Sequence, residues 1–458
     1  MAGPPKPFPP VPSANQLAWQ ENELTVFVHF GMDTFGDPHL GTGMEDPNLF
    51  NPTALDCTQW AKAAKEAGFK GMILTAKHHD GFCLWPTATT DHSVKSSMWK
   101  NGQGDVVKEF SDATKAAGLK TGIYCSPWDR NHQALIDSDP AGYARLYEQQ
   151  LTELMSNYGD IFEMWFDGNK APTSAWPDIV DVVRTHQPNA IIKQGPALAP
   201  IREDIRWVGN EQARAPLTNW SVYPAPTQAD AGAAPRIWFP LESDIPMIGS
   251  WFWDGNPPLP LAQLLDIYYI SVGRNSELLL NVAPDRRGLF SDDSLARLKE
   301  FRAALDSIFQ TNLAANQSIA AANVRANDPF YAPARMLDDD NSTYWATDDA
   351  VTTSSFEVDL GAEKEFNVIR TEEMVSLGQR VAQYTVEVSG AADAGAWRAI
   401  VQGTTIGYRK LDRFPRLSAS KVRVKITQSL ASPVLRGFGV HLDTISPPES
   451  FLPANALK

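Results

Sequence analysis

Acidic and imidazole side chains follow several apolar runs of this sequence, at the points where buried strands would end. The run 161–166 leads directly into Asp167. An earlier run leads into His29, and another leads into a turn that contains His78 and His79. A carboxylate beside a buried strand is costly unless its charge is used. Paired with a second carboxyl, it could serve glycoside hydrolysis, in which one carboxyl acts as nucleophile or base and the other as acid.

Sequence position alone does not identify the second carboxyl that would act together with Asp167. Glu211 follows the run 205–209, and Glu242 follows the run 236–241. Further acids lie near predicted strand ends, namely Asp33, Asp80, Asp129 and Asp244. The alternative role for Asp167 is a helix cap on the residues that follow it. The pattern therefore predicts a rim rich in carboxylates, and it leaves the choice between Glu211 and Glu242 open.

The histidines favour hydrogen bonding to hydroxyl groups over metal binding. His78 and His79 are sequence neighbours, and neighbouring side chains usually point in different directions. The three cysteines show no spacing typical of zinc sites or of a disulfide framework, so we predict buried free thiols at Cys57, Cys83 and Cys125. We predict no metal and no cofactor. Tyr124 and Trp128 close a further strand and face either the pocket or the edge of an aromatic core.

Alternating strand and helix patterns before residue 310 predict a (β/α)8-like barrel, because about eight strands in roughly 290 residues fit a barrel better than an open sheet. The predicted strands are 24–30, 71–76, 119–125, 161–167, 190–194, 205–209, 236–241 and 277–282. The predicted helices between and after them are 58–67, 104–117, 141–157, 177–187, 259–272 and 295–309. The carboxyl ends of such strands carry the chemistry of barrel enzymes, which is where the acids and histidines lie.

Beyond about residue 320 the helical periodicity ends and short β runs separated by turn residues predict a sandwich. The predicted runs are 355–360, 366–370, 383–389, 397–401, 421–426 and 435–442. We predict a catalytic barrel domain over 1–310, a linker over 311–327 and a β-sandwich over 328–458. The fold class is thus α/β, a barrel followed by an all-β sandwich.

The composition narrows the classes of partner. A net charge of −14 argues against nucleic acid and anionic membranes. The chain has 14 Trp, whose rings stack on the apolar faces of sugars or fill a large core. Gly-rich phosphate loops, serine-hydrolase elbows and dinucleotide fingerprints are absent from the sequence. No signal-peptide pattern opens the chain, so we expect an extracellular or periplasmic protein whose leader is missing, or a cytoplasmic one.

Six sequence blocks resemble the retaining α-L-fucosidases of glycoside hydrolase family 29. They run in family order over about residues 16–310 and comprise His29-Phe30-Gly31, Lys77-His78-His79-Asp80-Gly81-Phe82, Trp165-Phe166-Asp167-Gly168, Arg206-Trp207-Val208-Gly209-Asn210-Glu211, Gly249-Ser250-Trp251-Phe252 and the stretch from Ser271-Val272-Gly273-Arg274-Asn275 to Val282-Ala283-Pro284. The resemblance implies a barrel in which Asp167 is the nucleophile. The second domain resembles a galactose-binding-like, discoidin-type module.

The resemblance also implies roles for the residues around Asp167. The block that ends in Glu211 is similar to that of the subgroup acting on α-1,3/1,4-linked fucose, in which this Glu is the general acid/base. On the resemblance, Glu211 is therefore chosen over Glu242. The implied substrate-binding residues are His29, His39, His78, His79, Tyr124, Trp165, Trp207, Glu242, Trp251 and Phe252. One departure from the family is that Pro38-His39-Leu40-Gly41 stands where members often carry Glu-Trp-Gly.

The resulting prediction is a retaining exo-α-L-fucosidase that releases L-fucose from fucosylated oligosaccharides or glycoprotein glycans by double displacement. The first alternative is an α-L-galactosidase using the same site, because the two sugars differ by a hydroxyl at C6. The second is a carbohydrate-binding protein with a weak catalytic barrel. The sequence predicts no nucleic-acid or membrane partner, and it leaves the oligomeric state open.

Overall fold

The structure, a computed structural model, describes residues 3–36, 41–167, 176–193, 204–226 and 236–446. It has two parts, an eight-stranded parallel barrel followed by an antiparallel β domain. This is the predicted fold class.

The barrel strands alternate with helices along the chain. The strands are β1 Leu24–Val28, β2 Gly71–Lys77, β3 Lys120–Cys125, β4 Ile161–Trp165, β5 Ile191–Lys193, β6 Arg206–Trp207, β7 Leu241–Pro246 and β8 Ser276–Asn281. They are hydrogen-bonded in the order β5-β4-β3-β2-β1-β8-β7-β6. A single parallel bridge between Lys193 and Ile205 joins the two edges, so the barrel is nearly closed.

Eight α-helices accompany these strands within the described residues: α1 Ala14–Gln20, α2 Cys57–Glu66, α3 Val106–Ala117, α4 Gln133–Ser138, α5 Pro140–Asn157, α6 Trp176–His186, α7 Leu261–Ile270 and α8 Asp292–Phe309. Aspartate side chains cap the first turns of three of them, with Asp56 on α2, Asp105 on α3 and Asp139 on α5. Such caps satisfy backbone N–H groups that have no partner within the helix.

The seventh barrel strand lies further along the chain than predicted. The prediction placed it at 236–241, with Glu242 just beyond its end. Instead, Ile237–Trp238 forms a small antiparallel hairpin with Val222–Tyr223, and the barrel strand is Leu241–Pro246. The prediction was wrong because it followed the apolar run, whereas the barrel strand carries acids on its inward face. Glu242 is consequently the second residue of the strand.

Aromatic and aliphatic side chains fill the middle of the barrel. Phe27, Ile73, Tyr124, Trp165 and Leu279 form one buried cluster. Alternate residues of each barrel strand point inward, and alternate strands contribute the side chains of a given layer.

A glycine makes room for this packing. A Cβ atom on Gly122 would lie 2.7 Å from Ile73 and 3.0 Å from Phe162, so this position on β3 admits no larger side chain without a shift of its neighbours.

The second domain is built around two strands of 20 residues each. Its strands are β9 Ser318–Ala321, β10 Trp345–Ala346, β11 Ser354–Glu373, β12 Val381–Ser389, β13 Arg398–Gly403, β14 Lys410–Ser429 and β15 Val434–His441. Register shifts interrupt the pairing of β11 with β14, and they let one continuous strand cover what the sequence predicted as two. Strand β9 pairs with β11, so part of the segment predicted as linker, 311–327, contributes to the sandwich.

A largely buried ion network joins the two domains. Arg409 of the sandwich contacts Glu23 of the barrel at 2.6 Å and Glu372 of its own domain at 2.7 Å. Nearby, the guanidinium of Arg413 contacts Asp266 at 2.5 Å. The sandwich is thus attached to the barrel by specific polar contacts as well as by apolar packing.

The cysteine prediction is confirmed: Cys57, Cys83 and Cys125 are free and buried. Within the described residues, none of the helices has the length and apolar character needed to cross a membrane.

We expect Arg409→Ala, just before β14, to destabilise the protein more than the loss of an exposed arginine on β14 itself. The variant leaves Glu23 and Glu372 without their partner in a site where Arg409 is only 20% exposed, which costs about 3 kcal/mol. Differential scanning calorimetry of the full chain should show a Tm lowered by roughly 5 °C. The control is Arg416→Ala, whose side chain is 44% exposed and pairs with Glu365 at 3.6 Å. An equal effect of the two variants would contradict the structural role of the network.

Candidate active site

The chemistry-bearing residues gather at the carboxyl ends of the barrel strands. Asp167 lies two residues beyond the end of β4, His29 follows β1, and His78 with His79 follows β2. Tyr124 is the second-last residue of β3, beside them. The barrel therefore brings together groups that are up to 138 residues apart in the sequence.

Asp167 is held by two donors. The hydroxyl of Tyr124 donates to Oδ2 of Asp167 at 2.8 Å, and Nε2 of His79 lies 3.3 Å from the same oxygen. Burial by itself raises the pKa of this carboxyl, but the hydrogen bond and charge of His79, the charge of Lys193 and the hydrogen bond from Tyr124 hold it well below its usual range. Asp167 is therefore an ionised carboxylate at neutral pH.

His79 is itself fixed on its other side. Its Nδ1 lies 2.7 Å from the hydroxyl oxygen of Ser126, and that hydroxyl donates to the carbonyl of Trp128 at 2.8 Å. The Trp128 ring lies 4.8 Å from the His79 ring. Trp128 thus borders the imidazole that contacts Asp167.

His29 and His78 form a neutral, aromatic side of the pocket. Burial lowers the pKa of both imidazoles well below the ordinary value, so both are uncharged at neutral pH. Nδ1 of His29 lies 2.9 Å from Oδ1 of Asn281, which leaves its Nε2 as an acceptor. The rings of Trp251 and Phe252 lie 4.9 and 5.4 Å from the His29 ring. Neutral imidazoles flanked by aromatic rings suit hydroxyl groups on an apolar ring.

Two buried acids lie behind His78. Its Nδ1 is 3.2 Å from Oδ2 of Asp33, although the geometry is too bent for a hydrogen bond. Burial raises the pKa of Asp33 to about 6, and burial together with the charge of Asp33 raises that of Asp80 well above its usual range. The sequence had marked both as acids near strand ends. The structure places them behind the histidines and assigns them no contact with Asp167.

A buried ion pair supports the turn after β2. Nζ of Lys77 lies 3.0 Å from Oδ2 of Asp129, and both side chains are fully buried. The pKa of Asp129 is raised by burial but lowered more strongly by Lys77 and by His132, so the carboxyl is ionised. Lys77 also donates to Gln150 at 2.8 Å. The pair anchors the segment that carries His78 and His79.

Trp165 rests on a carboxyl inside the barrel. Its indole Nε1 donates to Oε1 of Glu242 at 2.7 Å, and its ring stacks on Tyr124 at 5.4 Å. Glu242 is 0% exposed. In this conformation it therefore supports the Trp165 ring from below, and its predicted contact with substrate stays a prediction.

Glu242 belongs to a group of three buried carboxyls. Glu163 accepts a hydrogen bond from Trp19 at 2.8 Å, and Glu277 accepts one from Thr25 at 2.5 Å. Burial first, and then the charges of neighbouring carboxyls, raise the pKa of Glu163 and Glu277 well above the usual value, while burial raises that of Glu242. Protons therefore reside on this group at neutral pH. The grouping of these three carboxyls could not be predicted from the sequence, because they come from three separate strands.

Lys193 provides positive charge at the opposite wall. Its Nζ lies 3.2 Å from the centre of the Trp165 ring and 5.9 Å from that of Trp207. The side chain is 2% exposed. Its charge lowers the pKa values of Asp167, Glu242 and Asp244. Sequence analysis missed Lys193, since a lysine at the end of a short strand resembles an exposed residue.

Glu211 lies on a turn that β7 holds at both ends. Val208 donates its N–H to the carbonyl of Glu242 at 2.8 Å, and Ala213 donates to that of Asp244 at 3.1 Å. Gly209 has φ 84°, which favours glycine, and the Asn210 side chain accepts from two N–H groups of the same turn. Glu211 itself is exposed. The turn is well ordered by hydrogen bonds, while the Glu211 carboxyl is open to solvent.

Three groups within the described residues have potential metal-ligand atoms within 4.8 Å of one another: His78 with His79 and Asp167, Asp33 with His78 and Asp80, and the three barrel carboxyls Glu163, Glu242 and Glu277. In the first group, Oδ2 of Asp167 already accepts from Tyr124. Its atoms therefore have hydrogen-bonding roles that need no ion.

Nine of the ten residues predicted to bind substrate are described by the structure. His29, His78, His79, Tyr124, Trp251 and Phe252 surround one pocket with Asp167. Trp165 and Trp207 lie beside Lys193, on the other side of this pocket. Glu242 lies beneath the Trp165 ring. His39 lies outside the described residues.

Comparisons with known proteins identify both domains. Residues 17–306 match the α-L-fucosidase family, and residues 317–436 match the F5/8 type C domain. The chain is 37% identical to α-L-fucosidase 1 of Arabidopsis thaliana over 461 residues, which cover 96% of this chain and 89% of that protein. It is 27% identical to human plasma α-L-fucosidase over 167 residues, which cover 34% of each chain. A solved Ruminococcus gnavus fucosidase of glycoside hydrolase family 29, in complex with fucose, superimposes with a TM-score of 0.88 at 31% identity and 97% coverage of both chains.

We expect Tyr124→Phe to move the acidic limb of the pH–activity profile to higher pH. The hydroxyl of Tyr124 stabilises ionised Asp167, so its removal raises the pKa of Asp167 and protonation then inactivates the enzyme at higher pH. Loss of a hydrogen bond to a charged group corresponds to roughly a tenfold to hundredfold loss of kcat/KM. The assay is hydrolysis of an aryl α-L-fucoside, the substrate class of these relatives.

The matched control is Tyr147→Phe. Tyr147 is also fully buried, but its hydroxyl donates to the carbonyl of Cys125 and does not contact Asp167. Its acidic limb should stay in place. A Tyr124→Phe profile that keeps the wild-type acidic limb would show that the hydroxyl does not control Asp167.

Proposed function

The chain belongs to the α-L-fucosidase family, glycoside hydrolase family 29, and we propose that it is a retaining exo-enzyme that releases L-fucose from α-1,3/1,4-fucosylated glycans. The observation that carries the mechanism is Asp167, ionised at the centre of the pocket between the hydroxyl of Tyr124 and the imidazole of His79. An ionised carboxylate that keeps one oxygen outside these two contacts suits attack on a sugar carbon.

In the first step, the carboxylate of Asp167 attacks the anomeric carbon of fucose. The bond from that carbon to the leaving oxygen breaks as Glu211 gives its proton to the oxygen. The products are a fucosyl ester on Asp167 and the free aglycone alcohol. The two donors that hold Oδ2 of Asp167 leave its other oxygen for the attack, and they orient the carboxylate before substrate arrives.

In the second step, Glu211 accepts a proton from water, and the resulting hydroxide equivalent attacks the anomeric carbon. The ester bond breaks, and Asp167 is released as a carboxylate with net retention of configuration. This sequence needs the two carboxyls about 5–5.5 Å apart once substrate is bound. The open position of Glu211 on its turn supports this assignment, because both the aglycone and water must reach it.

We further propose that His29, His78 and His79 hold the hydroxyl groups of fucose. His29 and His78 are neutral, and Nε2 of His29, whose Nδ1 donates to Asn281, is left to accept from a sugar hydroxyl. The Trp251 and Phe252 rings next to them supply an apolar surface for the C–H face of the sugar. The aglycone specificity for α-1,3/1,4 linkages rests on the block that ends in Glu211. An extracellular or periplasmic location is proposed with it, since fucosylated glycans are displayed there.

We expect Asp167→Ala and Glu211→Ala to differ in their dependence on the leaving group. Loss of the nucleophile should make every fucoside a poor substrate. Loss of the acid should nearly abolish cleavage of oligosaccharides while sparing the first step on aryl fucosides with acidic phenols. Azide should partly restore Glu211→Ala by attacking the fucosyl ester in place of water, and it should yield α-fucosyl azide, measured by NMR of the product.

The control for these variants is Glu242→Ala, which removes support from Trp165 and should raise KM without changing the leaving-group dependence. The same set should be assayed on aryl α-L-galactoside. If Glu242→Ala shows the leaving-group pattern and Glu211→Ala does not, the acid assignment is wrong. Faster cleavage of the galactoside than of the fucoside would overturn the proposed substrate.

We expect activity to survive dialysis against a strong chelator. The potential ligand atoms around Asp167 already take part in hydrogen bonds with Tyr124 and Ser126, and the chain lacks typical zinc-ligand spacing. The measurement is kcat on an aryl α-L-fucoside before and after EDTA treatment. Activity that disappears and returns only with added zinc would contradict this prediction.

A further inference from the structure

Asp244 is a buried carboxyl of the pocket that the proposed mechanism does not use. It lies on β7 two residues beyond Glu242, so the two side chains point to the same, inner face of the barrel. It pairs with Leu279 of the inner cluster and is 3% exposed. Because β7 runs toward the pocket, Asp244 lies one layer nearer the pocket than Glu242.

Asp244 holds both the start and the end of the turn that carries Glu211. Its Oδ1 accepts a hydrogen bond from the indole Nε1 of Trp207 at 2.7 Å. Its backbone carbonyl accepts from the N–H of Ala213 at 3.1 Å. Trp207 precedes Glu211 by four residues and Ala213 follows it by two. The position of Glu211 over the pocket therefore depends on Asp244 through two separate hydrogen bonds.

We propose that Asp244 is a positioning residue for Glu211, which holds the turn that carries Glu211 through its hydrogen bond from Trp207. The inference rests on the proposed function, in which Glu211 is the acid/base. It adds a residue that controls where the catalytic carboxyl is held.

The charges around Asp244 agree with this role. Burial raises its pKa to about 7, while the hydrogen bond from Trp207 and the charge of Lys193 lower it and the charges of Glu242 and Glu211 raise it. These groups face Asp244 from β6, β5, its own strand and the turn. The carboxylate form of Asp244 makes a charge-assisted hydrogen bond with the Trp207 indole, which is stronger than a bond between neutral groups.

The first test is Asp244→Asn in the full-length protein. The amide keeps an oxygen to accept from Trp207 but removes the negative charge. The hydrogen bond that holds the Glu211 turn then loses its charge-assisted strength. At neutral pH, kcat on oligosaccharides should fall roughly tenfold while KM changes little. Aryl fucosides with acidic phenols should be nearly unaffected.

The matched control is Asp160→Asn. Asp160 is exposed and immediately precedes β4, at the end of the barrel opposite the pocket. It removes the same unit of charge, so its kcat on oligosaccharides should stay at the wild-type value. A purely structural role for Asp244 would lower the Tm and the activity on all substrates alike, without a difference between oligosaccharides and aryl fucosides with acidic phenols.

A second variant keeps the test decisive if Asp244→Asn folds poorly. Trp207→Phe retains an aromatic ring and removes only the N–H that Asp244 accepts. We expect it to lower kcat on oligosaccharides and to spare aryl fucosides with acidic phenols. The double variant should be less impaired than the product of the two single effects, since both act through one turn.

Several outcomes would overturn the inference. These are wild-type oligosaccharide activity in Asp244→Asn or in Trp207→Phe, or a rise of KM alone in either variant. If Glu211→Ala behaves as proposed while Asp244→Asn is silent, this inference fails and the proposed function stands. If azide restores Asp244→Asn but not Glu211→Ala, Asp244 is itself the acid, and both this inference and the acid assignment fail.

Discussion

The pocket depends on keeping one partly buried carboxylate, Asp167, in its ionised form. Burial opposes the charge, and the protein offsets that cost with fixed donors and a nearby cation. Tyr124 and His79 supply the donors, and Lys193 supplies the cation. Each comes from a different barrel strand. The barrel thus brings together the groups that stabilise the carboxylate, since a single loop could not place them with the same rigidity.

The interior below the pocket follows from the same constraint. Phe27, Tyr124 and Trp165 pack as a rigid aromatic layer, and the Glu242 carboxyl holds the Trp165 indole in place. A carboxyl there is tolerated because protons shared with its buried neighbours limit the charge. Where full charges are buried elsewhere, as in Lys77 and Asp129, they occur as a contacting pair. The catalytic carboxyl thus keeps its charge, while the other buried acids around it are protonated or paired with a cation.

The sequence was sufficient for the parts of the fold that local patterns encode. The first six barrel strands begin within about a residue of their predicted positions, because each is an apolar run ended by polar residues. The seventh could not be located this way, since its inward face carries Glu242 and Asp244 and the more apolar neighbour, Ile237–Trp238, forms a hairpin instead. Strand β11 was predicted as two strands, because a bulged strand and a turn look alike in sequence. Site residues at strand ends were predictable, whereas Lys193, Asn281 and Asp244 act through partners far away in the sequence.

The most direct test of the account is to trap the covalent intermediate on the full-length protein. A 2-deoxy-2-fluoro-α-L-fucosyl fluoride slows the second displacement more than the first, so the fucosyl ester accumulates. Intact-mass measurement followed by peptide mapping should find one fluorofucosyl group per chain, attached to Asp167, and it should be lost slowly with recovery of activity. A label on Glu211, Asp244 or any other carboxyl, or turnover without an ester on the protein, would contradict the assignment of Asp167 as the nucleophile.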